Sequence, residues 1–296
     1  MKYLLLTLAA VTILAGCGNK GSQTATRGAD ILDSVVGEFV TYNLDSFTLH
    51  VYNTRDAMRN SSYIIEGDDS LVVMEYPLFR VNAAEFAAYI ERIGKPIAVD
   101  ITDYHLGGSG TLPLTMPEGM PAFIKGPVYS GMMQAFAKEY GEDLVELPTQ
   151  PAVEVPFGQP RLWAGVTFLF EHGPATDFPG ASIIIGSQIY YTHWAPTEAH
   201  VSPHQVGSEA ALDAQLTEAR KALDSGARFF IGGHGGLADK ATLEFHIAYL
   251  TKLKELRASQ PDATHFADAL RAAYPRLKGD VNALAQTLYK QKEGVM

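Results

Sequence analysis

Residues 97–108 read IAVDITDYHLGG, an apolar run that ends in a polar segment and two glycines. Apolar and β-branched residues dominate positions 97–101, which predicts a short buried strand. His105 follows where this strand would run out into a loop. Loops at strand ends often carry binding or catalytic groups, because a rigid sheet holds them in place. Residues 229–236 (FFIGGHGG) repeat the pattern around His234.

The flanking chain alternates strand-like and helix-like segments. Strands are predicted at residues 47–52, 62–65, 70–75, 97–101, 121–125, 153–156, 162–170, 181–185, 189–192 and 229–231. Helices are predicted at residues 82–93, 130–140 and 209–224 and in the whole region beyond 239, where apolar residues recur at helical spacing. Two strand-rich halves, each with helices, predict two sheets that pack face to face with helices outside.

The composition limits the classes of partner. The 296 residues are 47% hydrophobic, enough for a sizeable core. A formal net charge of −10 argues against nucleic acid, because phosphate binding requires clustered Lys and Arg. A single Cys excludes internal disulfides and Cys-rich metal clusters. We therefore expect a small-molecule substrate or ligand, and a metal, if present, must use His and carboxylate ligands.

The N-terminus has the features of an export signal. Residues 3–15 form an apolar run that is shorter than the roughly 20 residues of a membrane-spanning helix. It ends in LAGC (residues 14–17), which resembles the lipobox of bacterial lipoproteins and implies lipidation of Cys17. We expect a signal peptide at 1–16, a flexible tether at 17–29 and one domain at 30–296. The protein would then be lipid-anchored in the cell envelope, facing the periplasm or in the outer membrane, and would contact the membrane only through the lipid.

Several segments, taken in order, resemble the metallo-β-lactamase superfamily. Residues 62–75 resemble its opening hairpin, with Glu75 where Asp is usual. The HLGG sequence at 105–108 resembles the end of its HxHxDHxGG loop, and residues 233–235 resemble its late PGHG turn. His246 falls where many members place a final His ligand. The resemblance implies an α/β fold, a four-layer αββα sandwich, with one or two zinc ions.

The resemblance also implies a degenerate metal motif. Asp100, Thr102 and Tyr104 stand where the loop normally carries His, His and Asp, and Thr176 stands where a strand normally ends in a third His. The first metal site is therefore expected to be absent. The second could hold at most one ion, zinc or another divalent metal. His105 and His246 are two of its implied ligands, and the third is His193 or, shifted by one residue from the usual position, Asp103.

Other residues are candidates for the remaining roles in the site. Asp100 and Asp103 are candidate catalytic carboxylates, because a carboxylate can take a proton from an activated water. Both are also typical turn-capping residues. For His234 and His246 the alternatives are hydrogen bonding within a glycine-rich turn and packing on a helix. The expected pocket residues are Tyr104, Thr176, Trp194 and His234.

Two functions remain open. The resemblance implies a metal-dependent hydrolase of an ester, amide or phosphoester, without implying lactam hydrolysis, because one fold hosts many chemistries. The alternative is a non-catalytic lipoprotein of the same fold that binds a ligand or serves as a scaffold, with no metal required. Metal analysis of the protein and of its His105 and His246 variants would separate the two.

Overall fold

The computed structural model describes residues 36–103, 105–174 and 180–290. These ranges contain thirteen strands, seven α-helices and a 3₁₀ turn at Gly141–Asp143. The strands are β1 (Glu38–Asn43), β2 (Thr48–Asn53), β3 (Ser61–Glu66), β4 (Leu71–Met74), β5 (Ile97–Ile101), β6 (Leu114–Pro117), β7 (Val153–Val155), β8 (Pro160–Trp163), β9 (Val166–His172), β10 (Ala181–Ile185), β11 (Ile189–Tyr191), β12 (Phe229–Gly232) and β13 (Gly236–Asp239). The helices are α1 (Arg80–Ile93), α2 (Met120–Phe123), α3 (Pro127–Tyr140), α4 (Glu209–Asp224), α5 (Lys240–Ser259), α6 (Ala263–Ala273) and α7 (Val281–Lys290).

The strands form two sheets. The first has the order β1-β2-β3-β4-β5-β6-β7, in which β4 to β7 pair in parallel and the others pair antiparallel. The second has the order β13-β12-β11-β10-β9-β8, with β11 and β12 as its parallel pair. Parallel neighbours end at the same edge of a sheet, so the loops that follow them lie close together.

Alternating side chains place the first sheet between two apolar layers. Tyr63 and Ile65 of β3 belong to the central core between the sheets, together with Phe168 and Ile183 of the second sheet. Ile64, between them in sequence, packs on the opposite face. Successive residues of a strand point to opposite faces, so a strand that is buried on both sides reads as a continuous apolar run.

Helices cover the outer faces of both sheets. α1 packs on the first sheet through Phe86 and Ile90. Helices α4 to α7 pack on the second sheet around Tyr190 and Phe230. The order of layers is therefore helix, sheet, sheet, helix, and this confirms the predicted αββα sandwich.

Some elements differ from those predicted. Residues 121–125 were expected to form a strand, but most of them lie in α2, so this prediction was wrong. A short apolar run does not by itself distinguish strand from helix. Residues 162–170 are two strands, because Ala164 (φ 50°) and Gly165 (φ 73°) make a turn between β8 and β9. Strands β1, β6 and β13 were not predicted.

Some predictions fall outside the described ranges. These are the signal peptide, the tether, lipidation at Cys17, and the pocket residues Tyr104 and Thr176. Among the described residues, no helix is both long and apolar enough to cross a bilayer.

Candidate metal centre

The ends of four strands meet at one edge of the sandwich. Glu75 directly follows β4 and His105 lies four residues beyond β5, which is the parallel neighbour of β4. His193 and His234 follow β11 and β12, the parallel pair of the second sheet. Carboxyl ends of parallel strands are where α/β sheets collect their functional groups. The two sheets are joined here by a hydrogen bond of 2.8 Å from the backbone N–H of Ser61 to the carbonyl of Gly233.

Three imidazoles converge at this edge. The candidate ligand nitrogens of His105, His193 and His234 all lie within 4.8 Å of one another, and among the described residues this is the one group of its kind. The ring centroids are separated by 4.8 to 4.9 Å. Three His ligands around one ion leave a coordination position open, as in catalytic zinc sites. We call these residues the three-His group.

Glu75 orients the ring of His105. Its Oε2 lies 2.8 Å from Nδ1 of His105, and its Oε1 accepts a hydrogen bond of 2.7 Å from the backbone N–H of Asp103. A carboxylate at Nδ1 fixes the ring and leaves Nε2 as the ligand atom, the usual arrangement around metal-binding histidines. Glu75 has φ 53°, a conformation that non-glycine residues seldom adopt. Glu75 was not among the predicted site residues, although an acidic residue directly after a buried strand was a signal for it.

Backbone contacts hold the other two imidazoles. Nδ1 of His234 lies 3.2 Å from the carbonyl oxygen of Met58. The backbone N–H of His234 donates to the carbonyl of His193 at 3.1 Å, and the N–H of Ala195 donates to the carbonyl of His234 at 2.9 Å. Trp194 stacks on His234 with ring centroids 4.4 Å apart. The loop after β11 and the turn after β12 are thus held to each other.

Burial keeps two of these imidazoles neutral. Burial, with the neighbouring imidazoles His105 and His234, holds the pKa of His193 well below its usual value. Burial, again with His105, lowers the pKa of His234 to about 3. Neutral imidazole is the form that binds metal ions, so both rings are in a ligating state at neutral pH.

The two candidate catalytic aspartates have different surroundings. Asp100 is fully buried, and its Oδ2 accepts a hydrogen bond of 2.6 Å from the backbone N–H of Ser109. Burial raises the pKa of Asp100 to about 6. Asp100 does not line the cavity beside the three-His group. Its placement favours the turn-capping alternative.

Asp103 does line that cavity. Its Oδ1 accepts a hydrogen bond of 3.2 Å from the backbone N–H of Ala181, and its Oδ2 has no hydrogen-bond partner among the described residues. Burial and the nearby charge of Glu75 raise the pKa of Asp103 well above its usual value. The catalytic roles of both aspartates stay predictions.

His246 lies outside the three-His group. Its side chain on α5 is 3% exposed and hydrogen-bonds to the backbone of Thr197. It lines a separate small cavity of about 20 Å³ together with Glu218 and Trp194. We predicted His246 as a ligand and His234 as a pocket residue. The geometry places His234 in the three-His group and leaves His246 outside it.

The three-His group opens into a cavity of about 1,530 Å³. Trp194 and Asp103 line it, as does one face of α3. The expected pocket position of Trp194 agrees with this geometry. Pockets for small molecules typically measure about 300 to 1,000 Å³, so the space suffices for a substrate.

Comparison with known proteins identifies the fold. No protein family and no curated sequence matches the chain. A metallo-β-lactamase family protein from Thermus thermophilus superposes with a TM-score of 0.57 at 19% identity, covering 85% of this chain and 95% of that one. An inverting sec-alkylsulfatase from Pseudomonas sp. gives 0.58 at 15% identity, with 83% and 49% covered. An archaeal metallo-β-lactamase superfamily protein from Sulfolobus tokodaii gives 0.50 at 12% identity, with 72% and 87% covered. The chain has the metallo-β-lactamase fold.

Proposed function

We propose that this chain is a hydrolase that uses one divalent cation, with zinc as the first candidate, to cleave an ester, amide or phosphoester. The observation that carries the proposal is the three-His group, in which imidazole nitrogens from three separate loops lie within 4.8 Å of one another beside a large cavity. Hydrolysis by a protein of similar fold, the alkylsulfatase, supports the same reaction class.

The donor set fits such an ion. His193 and His234 are neutral, and Nδ1 of His105 and of His234 is occupied by a carboxylate and a carbonyl oxygen, respectively. When bound, a divalent cation supplies Lewis-acid activation of water at neutral pH.

The chain's own residues supply orientation and shelter from bulk water. Glu75 holds His105 through Nδ1, and the stacked indole of Trp194 covers one side of His234. Asp103 lies in the cavity wall with its side chain buried, and its Oδ1 accepts a hydrogen bond from the backbone N–H of Ala181, so it fixes the wall beside the three-His group.

A non-catalytic binding protein is the second candidate, and one observation favours it. Thr102 and Asp100, which stand where the resemblance expects His ligands, are used within the loop: the Thr102 hydroxyl donates to the carbonyl of His105, and Asp100 accepts from Ser109. Because these side chains form hydrogen bonds within the loop, they do not act as additional metal ligands, and this favours a site that binds a ligand without converting it.

Metal analysis tests the proposal. The full chain, purified without chelator and dialysed against zinc, is expected to carry about one ion per chain and to hydrolyse 4-nitrophenyl acetate. His105→Ala, His193→Ala and His234→Ala should each lose the ion and the activity. His265→Ala is the matched control, because His265 is exposed on α6.

The outcomes separate the candidates. A folded protein that takes up no divalent cation would overturn the metal site. If the protein binds one ion per chain but hydrolyses none of the esters, amides or phosphoesters tested, the hydrolase proposal fails and the non-catalytic binding protein is favoured. His246→Ala is expected to keep the ion, and its loss in this variant would restore His246 as a ligand.

We also propose lipid anchoring in the cell envelope through Cys17. Bacteria that express the chain and are fed labelled palmitate should incorporate label into the wild-type protein. Cys17→Ala should abolish the incorporation, and equal labelling of the two proteins would contradict the anchor.

A further inference from the structure

Helix α3 contains several large apolar residues, but few of its side chains are buried. Tyr129 is its one buried residue among fourteen, and it packs with Leu106, Met116 and Met120. Met132, Met133, Phe136 and Tyr140 remain partly exposed. Met132, Phe136 and Tyr140 lie three, seven and eleven residues after Tyr129, on the same face of the helix. Met132 packs against the cluster that contains Tyr129, and beyond Tyr129 this face is only partly buried.

Three of these side chains form an apolar stripe. Met132, Phe136 and Tyr140 are spaced four residues apart, so they lie along one face of the helix. At 1.5 Å per residue the stripe is about 12 Å long. All three line the cavity that also contains the three-His group. The stripe and the candidate metal centre thus belong to one continuous space.

The stripe has a fixed end and an adaptable end. The Tyr140 ring packs edge-on against Phe79, with centroids 5.1 Å apart, and lies 6.3 Å from the ring of Phe136. Met132, at the other end, has a flexible side chain that follows the shape of its partner. A ligand that removes apolar surface of this kind from water binds more tightly, because the burial of apolar surface lowers the free energy.

The volume of the cavity and the linear arrangement of the stripe favour a linear ligand. The cavity volume of about 1,530 Å³ exceeds the usual range for a small-molecule pocket, and the stripe extends along the axis of α3. The charged residue that α3 adds to the lining is Glu139, which disfavours an anionic group at that end. We therefore expect the end of the ligand that lies beside α3 to be uncharged.

We propose that the substrate carries an unbranched alkyl or acyl chain that lies along Met132, Phe136 and Tyr140, with its hydrolysable bond at the three-His group. This inference rests on the proposed function for the reaction and on the stripe for the specificity. The substrate class is an ester, amide or phosphoester of a long-chain acid or alcohol.

Binding of straight-chain primary alcohols, measured by calorimetry on the full chain after metal removal, tests the stripe without requiring activity. From hexanol to dodecanol, each added methylene should tighten binding by up to about fourfold. Phe136→Ala and, independently, Met132→Ala should reduce this gain per methylene. Val128→Ala is the matched control on the same helix, because Val128 is 57% exposed and does not line the cavity.

A second measurement connects the stripe to turnover. On the zinc-loaded chain, kcat/KM for 4-nitrophenyl esters should rise with acyl length from two to twelve carbons, and Phe136→Ala should flatten that rise. An affinity for alcohols that does not depend on length, or equal slopes for Phe136→Ala, Met132→Ala and Val128→Ala, would overturn the inference. Length-dependent alcohol binding by a chain that takes up no metal would overturn the proposed function alone and leave the stripe supported.

Discussion

Gly233, in the turn after β12 of the second sheet, lies directly against His105. A Cβ atom at this position would lie 2.9 Å from Cε1 of His105 and 3.2 Å from Oε2 of Glu75. A methyl group would therefore displace the imidazole or the carboxylate that orients it. The requirement for glycine here comes from this contact between side chains of one sheet and backbone of the other.

Gly233→Ala is therefore expected to weaken zinc binding by about 10- to 100-fold, the usual effect of disturbing the groups that orient metal ligands. Competition with a chromophoric chelator measures the affinity. Gly131→Ala in α3 is the control, because nothing lies within 4 Å of the added Cβ. Unchanged zinc affinity in Gly233→Ala would contradict the requirement for glycine at this position.

His246 should make stability depend on pH. Burial lowers its pKa in the folded state to about 4, whereas an unfolded chain has a His pKa near 6.5. Between these values the unfolded state binds the additional proton. Stability is therefore fully present above about pH 6.5 and falls as the pH drops toward 4, by about 3 kcal/mol. His246→Leu removes this contribution.

Urea denaturation of the metal-free protein at pH 7.5, 6, 5 and 4 measures the effect. The difference in unfolding free energy between wild type and His246→Leu should shift in favour of the variant as the pH falls. A difference that stays constant over this range would mean that His246 is not held neutral by burial.

At the scale of elements, α4 shows how a local signal places a cavity wall. Ser208 precedes the helix, and its Oγ accepts a hydrogen bond of 2.9 Å from the backbone N–H of Ala211. This contact satisfies one of the free donors in the first turn. Ser208 and the first turn of α4 also line the large cavity.

Ser208→Ala should lower the unfolding free energy by about 1 kcal/mol, and Ser208→Asp should retain most of it. Chemical denaturation at neutral pH compares the three proteins. If Ser208→Ala and Ser208→Asp lower the unfolding free energy equally, the side chain of Ser208 does not cap the helix.

At the scale of the whole molecule, Tyr63 joins the two sheets beside the candidate site. Its hydroxyl on β3 lies 2.7 Å from the carbonyl oxygen of Gly232 and 2.9 Å from that of Gly236, and it accepts a hydrogen bond of 3.1 Å from the N–H of Gly232. Burial raises the pKa of this phenol, so it stays protonated. The turn that carries His234 is thus held from the first sheet.

Tyr63→Phe should cost about 1 to 3 kcal/mol, because buried backbone groups lose their partner. It should also weaken zinc binding, since the His234 turn loses its support. Tyr274→Phe, in a partly exposed ring, should change stability by less than about 0.5 kcal/mol. Equal effects of the two substitutions would argue against Tyr63 as a link between the sheets.

The fold was largely accessible from the sequence because its signals are local. The apolar runs around Val72 and Val99 predicted two strands, the second of them buried, and the spacing in α1 and α4 predicted their helices. Two of the exceptions, α2 and β6, have four residues each. In α2 an apolar run of four residues carries no period that separates helix from strand, and β6 depends on parallel pairing with β5 and β7.

By itself, the sequence determined the layered architecture and the position of His105, His193 and His234 at strand ends, since periodicity and glycine-flanked turns are properties of neighbouring residues. Only the tertiary structure decided that His234 stands beside His105 while His246 does not, and that Glu75 orients the ring. The parallel pairing of β4 with β5 and of β11 with β12 brings those loops to one edge. Distances across two sheets depend on long-range packing, which no local pattern encodes.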